Sequence, residues 1–289
     1  MSILINKETK VVIQGITGRY GRSQIHTMIS YGTKITAGTS PGKGGQVIDG
    51  IPVYDTVKEA AKHEEFNASL IYVPPAAVKE AVLESIDAGV KLIVVAAEGV
   101  PLHECMEIKR KSKENNAWIV GPNTIGLISS GECLLGSLGS GYAKKGRLGL
   151  ITRGGTIAIE MVRMLSEAGI GQSTCIGSGG DRVIGRNPIE YLELFENDPD
   201  TDAVMLVGEI GGMKENECAK IIPKMNKKVF VYILGRCAPK GARMGHIGAI
   251  ISRGGEGFQE KCKILSDAGA VMINTPWEAV EKIKSIGVC

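Results

Sequence analysis

The chain is poor in aromatic residues, which make up 4% of its 289 positions, so stacking platforms for single-stranded nucleic acid are not expected. It has no large charge excess: 34 basic against 31 acidic residues leave a formal charge of +3, too little to argue for a nucleic-acid or membrane surface. No apolar run reaches transmembrane length. Seven cysteines lie scattered between Cys105 and Cys289, none spaced C-x-x-C, which speaks against a disulfide framework or a zinc site and for a reducing compartment. The first residues show neither a signal-peptide core nor an Arg-rich amphipathic pattern, so a cytoplasmic protein is expected. In excess are the 39 glycines, many set between a Val/Ile run and a helical pattern, where phosphate-binding turns occur.

Lys10–Gln14 reads as a buried parallel strand, Gly15-Ile16-Thr17-Gly18-Arg19-Tyr20-Gly21 as a turn, and the stretch to Ser30 as a helix. The spacing G-x-x-G-x-x-G fits either a phosphate site or a plain tight turn. A second strand, Ile35–Thr39, leads into Ser40-Pro41-Gly42-Lys43-Gly44-Gly45, with no acidic residue at its end to hold ribose hydroxyls, which disfavours a nicotinamide dinucleotide. Lys43 in that glycine loop suits a phosphate or is simply a solvated charge. Further strands are read at 69–73, 91–97 and 117–120, with helices at 57–63, 78–88 and 103–115 between them. This alternation predicts a Rossmann-like parallel sheet over 1–128. Its strand ends would gather the first turn, Lys43, Pro74, Glu98 and Asn123.

Residues 129–145 read as a connection carrying at most a short hairpin. A second α/β unit, flavodoxin-like, is expected over 146–289. It opens with a strand at 147–152, the turn Arg153-Gly154-Gly155-Thr156 and a helix over 157–168. Strands at 203–209 and 228–233 follow, then Gly241-Ala242-Arg243-Met244-Gly245-His246-Ile247-Gly248. His246, flanked by glycines, is the histidine whose surroundings suit chemistry; His26, His63 and His103 read as surface or packing residues. A carboxylate such as Glu209 accepting the Nδ1 hydrogen would leave Nε2 as base or nucleophile. The helix start near Gly155 offers backbone N–H groups and a positive dipole end to an anion. Phosphoryl transfer through a phosphohistidine and general acid–base work by His246 both fit.

Taken together, Pro41-Gly42-Lys43-Gly44-Gly45, Gly121-Pro122-Asn123, Gly208-Glu209-Ile210-Gly211-Gly212, Ala238-Pro239-Lys240-Gly241 and Arg243-Met244-Gly245-His246 resemble the α subunit of succinyl-CoA synthetase (succinate–CoA ligase, NDP-forming) over nearly the whole chain. The resemblance implies a CoA-binding first domain, a phosphohistidine second domain and an ATP-grasp β subunit as partner, in an αβ or α2β2 heteromer of the tricarboxylic acid cycle. ATP or GTP with Mg²⁺ would be bound mainly by that partner. It further implies His246 as the phosphorylated nucleophile, Glu209 as its orienting partner and a small carboxylic acid as substrate. Thr17, Gly18, Arg19, Tyr20, Lys43, Tyr72, Pro74, Ala96, Ala97, Glu98 and Asn123 would lie at the CoA positions. Gly154, Gly155, Thr156 and Ile159 would form the phosphate and substrate loop.

The departures from the family cluster. Arg19-Tyr20-Gly21-Arg22-Ser23-Gln24 replaces Ser-Gln-Gly-Thr-Phe-His, and Asn123 is followed by Thr124-Ile125 where Cys-Pro is usual. Gly154 and Ile159 stand where succinate-using relatives carry serine and tyrosine, and Arg182 where proline is common. A different acid (malate, citrate or a sulfonated carboxylate) is therefore an alternative to succinate, and a catalytically silent CoA-binding regulator is another.

Overall fold

A computed structural model describes residues 3–239, 248–251 and 254–288. His246 and the expected motif from Lys240 to His246 lie outside the described residues. The first unit runs β1 (Lys10–Gln14), α1 (Arg19–Ser30), β2 (Lys34–Thr39), β3 (Val47–Ile48), β4 (Ile51–Tyr54), α2 (Val57–Ala60), β5 (Ala68–Ile71), α3 (Val78–Asp87), β6 (Leu92–Val95), α4 (Leu102–Glu114) and β7 (Trp118–Val120). Strands β1, β5 and β6 are almost wholly buried, because helices cover both faces of the sheet; this is why they read as unbroken apolar runs. Prolines 74 and 75 follow β5, where the chain turns into a short 3₁₀ segment.

Sheet order is β3-β4-β2-β1-β5-β6-β7, parallel throughout except for β3 against β4. Leaving out β3, this is the 3-2-1-4-5-6 order of a Rossmann sheet, whose order reverses between β1 and β5.

The second unit comprises β8 (Gly126–Ser129), β9 (Cys133–Gly136), β10 (Lys145–Thr152), α5 (Gly155–Glu167), β11 (Gln172–Gly177), α6 (Pro188–Glu196), β12 (Ala203–Glu209), α7 (Lys214–Glu217), β13 (Lys228–Leu234), α8 (Phe258–Asp267), β14 (Val271–Ile273) and α9 (Pro276–Lys284). Its sheet order is β14-β13-β12-β10-β11-β8-β9. The five parallel strands β10 to β14 follow the flavodoxin-like 2-1-3-4-5 order, which reverses between β10 and β12. Among the described residues no helix is long and apolar enough to cross a membrane.

The stretch read as a connection differs from expectation. The expected end of the first unit at 128 cuts through β8, and β8 and β9 form an antiparallel hairpin that extends the second sheet through β11. The same hairpin is fastened to the first unit. Thr33 Oγ1 donates to the Leu134 carbonyl (2.7 Å) and accepts from the Leu134 N–H (3.0 Å), and the Tyr31 hydroxyl accepts from the Gly131 N–H (2.8 Å). The turn after α1 is thus stitched to the edge of the second sheet. Thr33→Val keeps the shape but strands a buried backbone N–H and C=O. It is expected to cost about 1–3 kcal/mol, read as a lower midpoint in chemical denaturation.

Candidate functional site

Helix N-termini expose N–H groups that a side chain or an anion must satisfy. Among the described residues, seven helices run nine residues or longer, and five of them carry a glutamate in the first turn. The other two, α1 and α5, have neither an acidic residue there nor a capping side chain. Both begin at glycines, Gly18 and Gly154, directly after a strand and beside the point where the strand order of their sheet reverses. Two positive helix ends are therefore left open at the two places where an open α/β sheet binds ligands.

At α1, Gly21 lies so close to the preceding turn that a Cβ would stand 2.7 Å from the Gly15 carbonyl, so the helix start folds tightly over the turn. Arg19 and Arg22 in its first turns are exposed, as is Gly18. Thr17 Oγ1 donates to Ser40 Oγ (2.9 Å), and the Lys43 N–H donates to the Ser40 carbonyl (3.0 Å), which ties the first turn to the lysine loop. Asp55 Oδ1 accepts from the N–H groups of Lys43 (3.0 Å) and Gly44 (2.9 Å), fixing that loop while leaving the Lys43 side chain exposed. Tyr20 meets Tyr72 edge-on with ring centroids 5.1 Å apart, and both line a cleft with Ala96. Burial pushes the Tyr72 phenol well above its ordinary range, so it stays protonated. Pro74 and Glu98 are exposed at the same end of the sheet.

Asn123 is engaged by the protein through both its backbone and its side chain. Its N–H donates to the Ala97 carbonyl (2.8 Å), its carbonyl accepts from the Gly180 N–H (2.9 Å), and Nδ2 donates to Asp181 Oδ1 (3.1 Å). It thereby joins the end of the first sheet to the loop after β11. Burial raises the Asp181 carboxyl pKa, although the hydrogen bond from Asn123 and one from the Gly99 backbone work against it.

The residues expected of the phosphate and substrate loop lie at the start of α5. Gly154 is the N-cap and Gly155 the first helical residue; Thr156 is exposed, and Ile159, one turn on, shares the face of Gly155. Arg153, immediately before the cap, is buried. Its Nε lies 3.0 Å from Glu209 Oε1 at the end of β12, its Nη1 lies 3.3 Å from Glu215 Oε1 on α7, and Nη1 also donates to the Gly211 carbonyl (2.9 Å). Lys261 of α8 binds the other oxygen of Glu215. Side-chain exposure is 4% for Arg153, 1% for Glu215 and 0% for Lys261. Burial alone would raise the Glu215 pKa; the charges of Lys261 and Arg153 outweigh it and hold the carboxyl below the usual range.

His246 is outside the described residues, so its expected pairing with Glu209 is too. Two residues on, Gly248 is packed so tightly that a Cβ would stand 2.2 Å from Arg153 Nη2 and 2.6 Å from the Gly180 carbonyl. The end of the histidine loop is therefore seated on the guanidinium that holds Glu209.

Sequence reasoning missed Ser40 and Asp55, which hold the lysine loop, and the buried set Arg153–Glu215–Lys261. One signal for the last was present: Lys261 lies four residues before Leu265, on the apolar face of α8. Lys261→Met leaves Glu215 facing Arg153 alone and is expected to destabilise the fold by about 3–5 kcal/mol at neutral pH. Because the Glu215 pKa is depressed in the folded state, this stabilisation is present above the ordinary glutamate range and is lost as the pH falls. The gap between variant and parent in urea denaturation should shrink on acidification.

Family models for a CoA-binding domain and a CoA-ligase match residues 6–99 and 151–271. The chain is 46% identical over 286 residues to subunit α 2 of the ADP-forming succinate–CoA ligase of Archaeoglobus fulgidus, covering 99% of this chain and 100% of that one. It is 45% identical over 293 residues to a subunit of the ADP-forming sulfoacetate–CoA ligase of an Acholeplasma species, covering 100% and 99% respectively. The ATP citrate lyase of Methanosaeta concilii, solved with (3S)-citryl-CoA, shares the fold at a TM-score of 0.90 and 20% identity; the match takes in 98% of this chain and 51% of that one.

Proposed function

The chain belongs to the α-subunit family of ADP-forming succinate–CoA ligases, acid–thiol ligases, and from that premise we propose that it carries a phosphoryl group on His246 between a nucleoside triphosphate and a small carboxylic acid. The observation that carries this reading is the open N-terminus of α5, set directly after Arg153, on which Gly248 packs two residues beyond His246.

The γ-phosphoryl of ATP or GTP, held with Mg²⁺ by an ATP-grasp β subunit, passes to a histidine nitrogen and the nucleoside diphosphate leaves. The N–H groups at Gly155 and Thr156, with the positive end of the α5 dipole, face the phosphoryl oxygens. Glu209 accepts the Nδ1 hydrogen of His246, which keeps Nε2 as nucleophile; a carboxylate has acceptor sites for both that bond and Arg153. A carboxylate oxygen of the acid then attacks phosphorus, giving an acyl phosphate and restoring the histidine. The CoA thiolate attacks the acyl carbon, the C–S bond forms, and phosphate departs.

The first unit fits CoA. Its diphosphate matches the open start of α1 with Arg19, Arg22 and Lys43, and Tyr20 and Tyr72 offer aromatic edges beside it. Two of the relatives are named for different acids, succinate for one and sulfoacetate for the other. The polar residues expected of a succinate loop are Gly154 and Ile159 here, which favours an acid other than succinate at this site.

The assembled complex, given γ-labelled ATP and Mg²⁺, should acquire acid-labile, base-stable phosphate that the acid together with CoA discharges. His246→Asn should abolish the label. Glu209→Gln should slow labelling roughly 10²-fold or more, in the range found for positioned acid–base partners. Undiminished label in His246→Asn would overturn the assignment.

A further inference from the structure

The loop that follows β11 touches both units at once. The Ser178 N–H donates to the carbonyl of Thr152, the residue before Arg153 (2.7 Å). The Gly180 N–H donates to the Asn123 carbonyl of the first unit (2.9 Å), and a Cβ on Gly248 would stand 2.6 Å from the Gly180 carbonyl. One residue therefore meets the first unit on one side and the end of the histidine loop on the other. Its neighbour Gly179, with φ +113°, lies so near the first unit that a Cβ would stand 2.3 Å from the Pro122 carbonyl, an approach only glycine permits.

Asp181 is next in this loop and is 4% exposed. Its carboxylate accepts from Asn123 Nδ2 (3.1 Å) and from the Gly99 backbone N–H, both in the first unit. The Asn123 N–H in turn donates to the Ala97 carbonyl (2.8 Å), so the two donors belong to one patch, segment 96–99 with Asn123. Among the described residues no cation pairs with that carboxylate; the Lys214 ammonium donates instead to the Asp181 backbone carbonyl. Burial and the Glu98 charge raise the Asp181 pKa, and the bonds from Asn123 and Gly99, with the Lys214 charge, act against them. A buried carboxylate held by neutral donors alone is costly to keep ionised, and a neutral side chain would fill the same space at lower free energy.

Resting on the ligase reading above, we propose that Asp181 is a positioning residue for the step that uses CoA: its carboxylate clamps segment 96–99 and Asn123 of the first unit to the loop on which the end of the histidine loop packs, and so keeps bound CoA in register with the acyl phosphate. Asp181 acts through these groups and touches neither ligand. Phosphoryl transfer from the nucleotide to the histidine uses the second unit and the partner, so loss of the clamp spares it. Attack of the CoA thiolate on the acyl carbon needs both units in register. An amide at position 181 keeps the shape and one acceptor oxygen, but it sets an N–H group against an N–H donor of the first unit.

The test uses the complete α–β complex. Asp181→Asn is expected to lower kcat/KM for CoA roughly ten- to a hundredfold, the worth of a charge-assisted contact. Histidine labelling by γ-labelled ATP without CoA should change in rate by less than about twofold, a split that general destabilisation does not produce. Hydrogen exchange should quicken over segment 96–99 and stay unchanged over β10 and the start of α5. Asn123→Ala removes the other end of the same bond, so the double variant should lose no more than the worse single variant. A loss equal to the product of the two single losses overturns the clamp, as do unchanged CoA kinetics or an equal fall in labelling and thioester formation. Asp181→Ser, equally neutral, replaces Asp181→Asn if that variant does not fold. Failure of both to fold assigns the carboxylate to the fold alone and overturns the proposal. If the parent complex labels no histidine and forms no thioester, the ligase reading fails instead. Calorimetric titration of CoA then judges the clamp: binding weakened in Asp181→Asn upholds it, and equal binding, or none to the parent, overturns it.

Discussion

A guanidinium that is almost entirely removed from water must be surrounded by acceptors, and Arg153 meets that demand with groups from three places in the second unit. Glu209 comes from the end of β12, Glu215 from α7 and the Gly211 carbonyl from the turn between them. Lys261 adds α8 by sharing Glu215. Arg153 is also the last residue before the N-cap of α5, so one ionic cluster sets where that helix begins, where Glu209 points and where the chain from Gly248 can lie. A lysine could not take this place: a single ammonium lacks the planar fork that addresses two carboxylates and a carbonyl in fixed directions.

The two units apply one physical device to different ends. In each, a strand beside the reversal of sheet order runs into glycines and then into a helix with no cap and no acid in its first turn. At α1 the surrounding charges are exposed arginines and a lysine on a loop held by Asp55, an open and adaptable arrangement suited to a long, flexible, anionic ligand. At α5 the charges are buried and mutually fixed, an arrangement suited to holding one small group in one orientation. The Thr33–Leu134 hydrogen bonds and the Asn123–Asp181 contact join the two units.

The parallel strands and glycine turns could be read directly from the chain because a strand covered on both faces is apolar throughout, and a phosphate turn needs small residues at fixed spacing. The hairpin at 126–136 was harder to read. Its strands are four residues each, and what makes them strands is pairing with β11 more than 40 residues later. The Arg153 cluster was hidden for the same reason, since its partners lie 46 to 62 residues apart. Asn123 shows the limit from the other side: its place at a strand end was legible, but not that Asp181, 58 residues on, would occupy its side chain. Local pattern finds the platform; which groups meet on it depends on the sheet order.

Charge balance also limits what Arg153 can do. Two carboxylates claim its charge, and an anion binding to it would have to displace one of them and leave that carboxylate short of a partner in a buried place. The guanidinium is therefore a tie between β12, α7 and the start of α5, and what it leaves for an anion beside it is the backbone N–H groups of a helix start with no cap and no acid in its first turn.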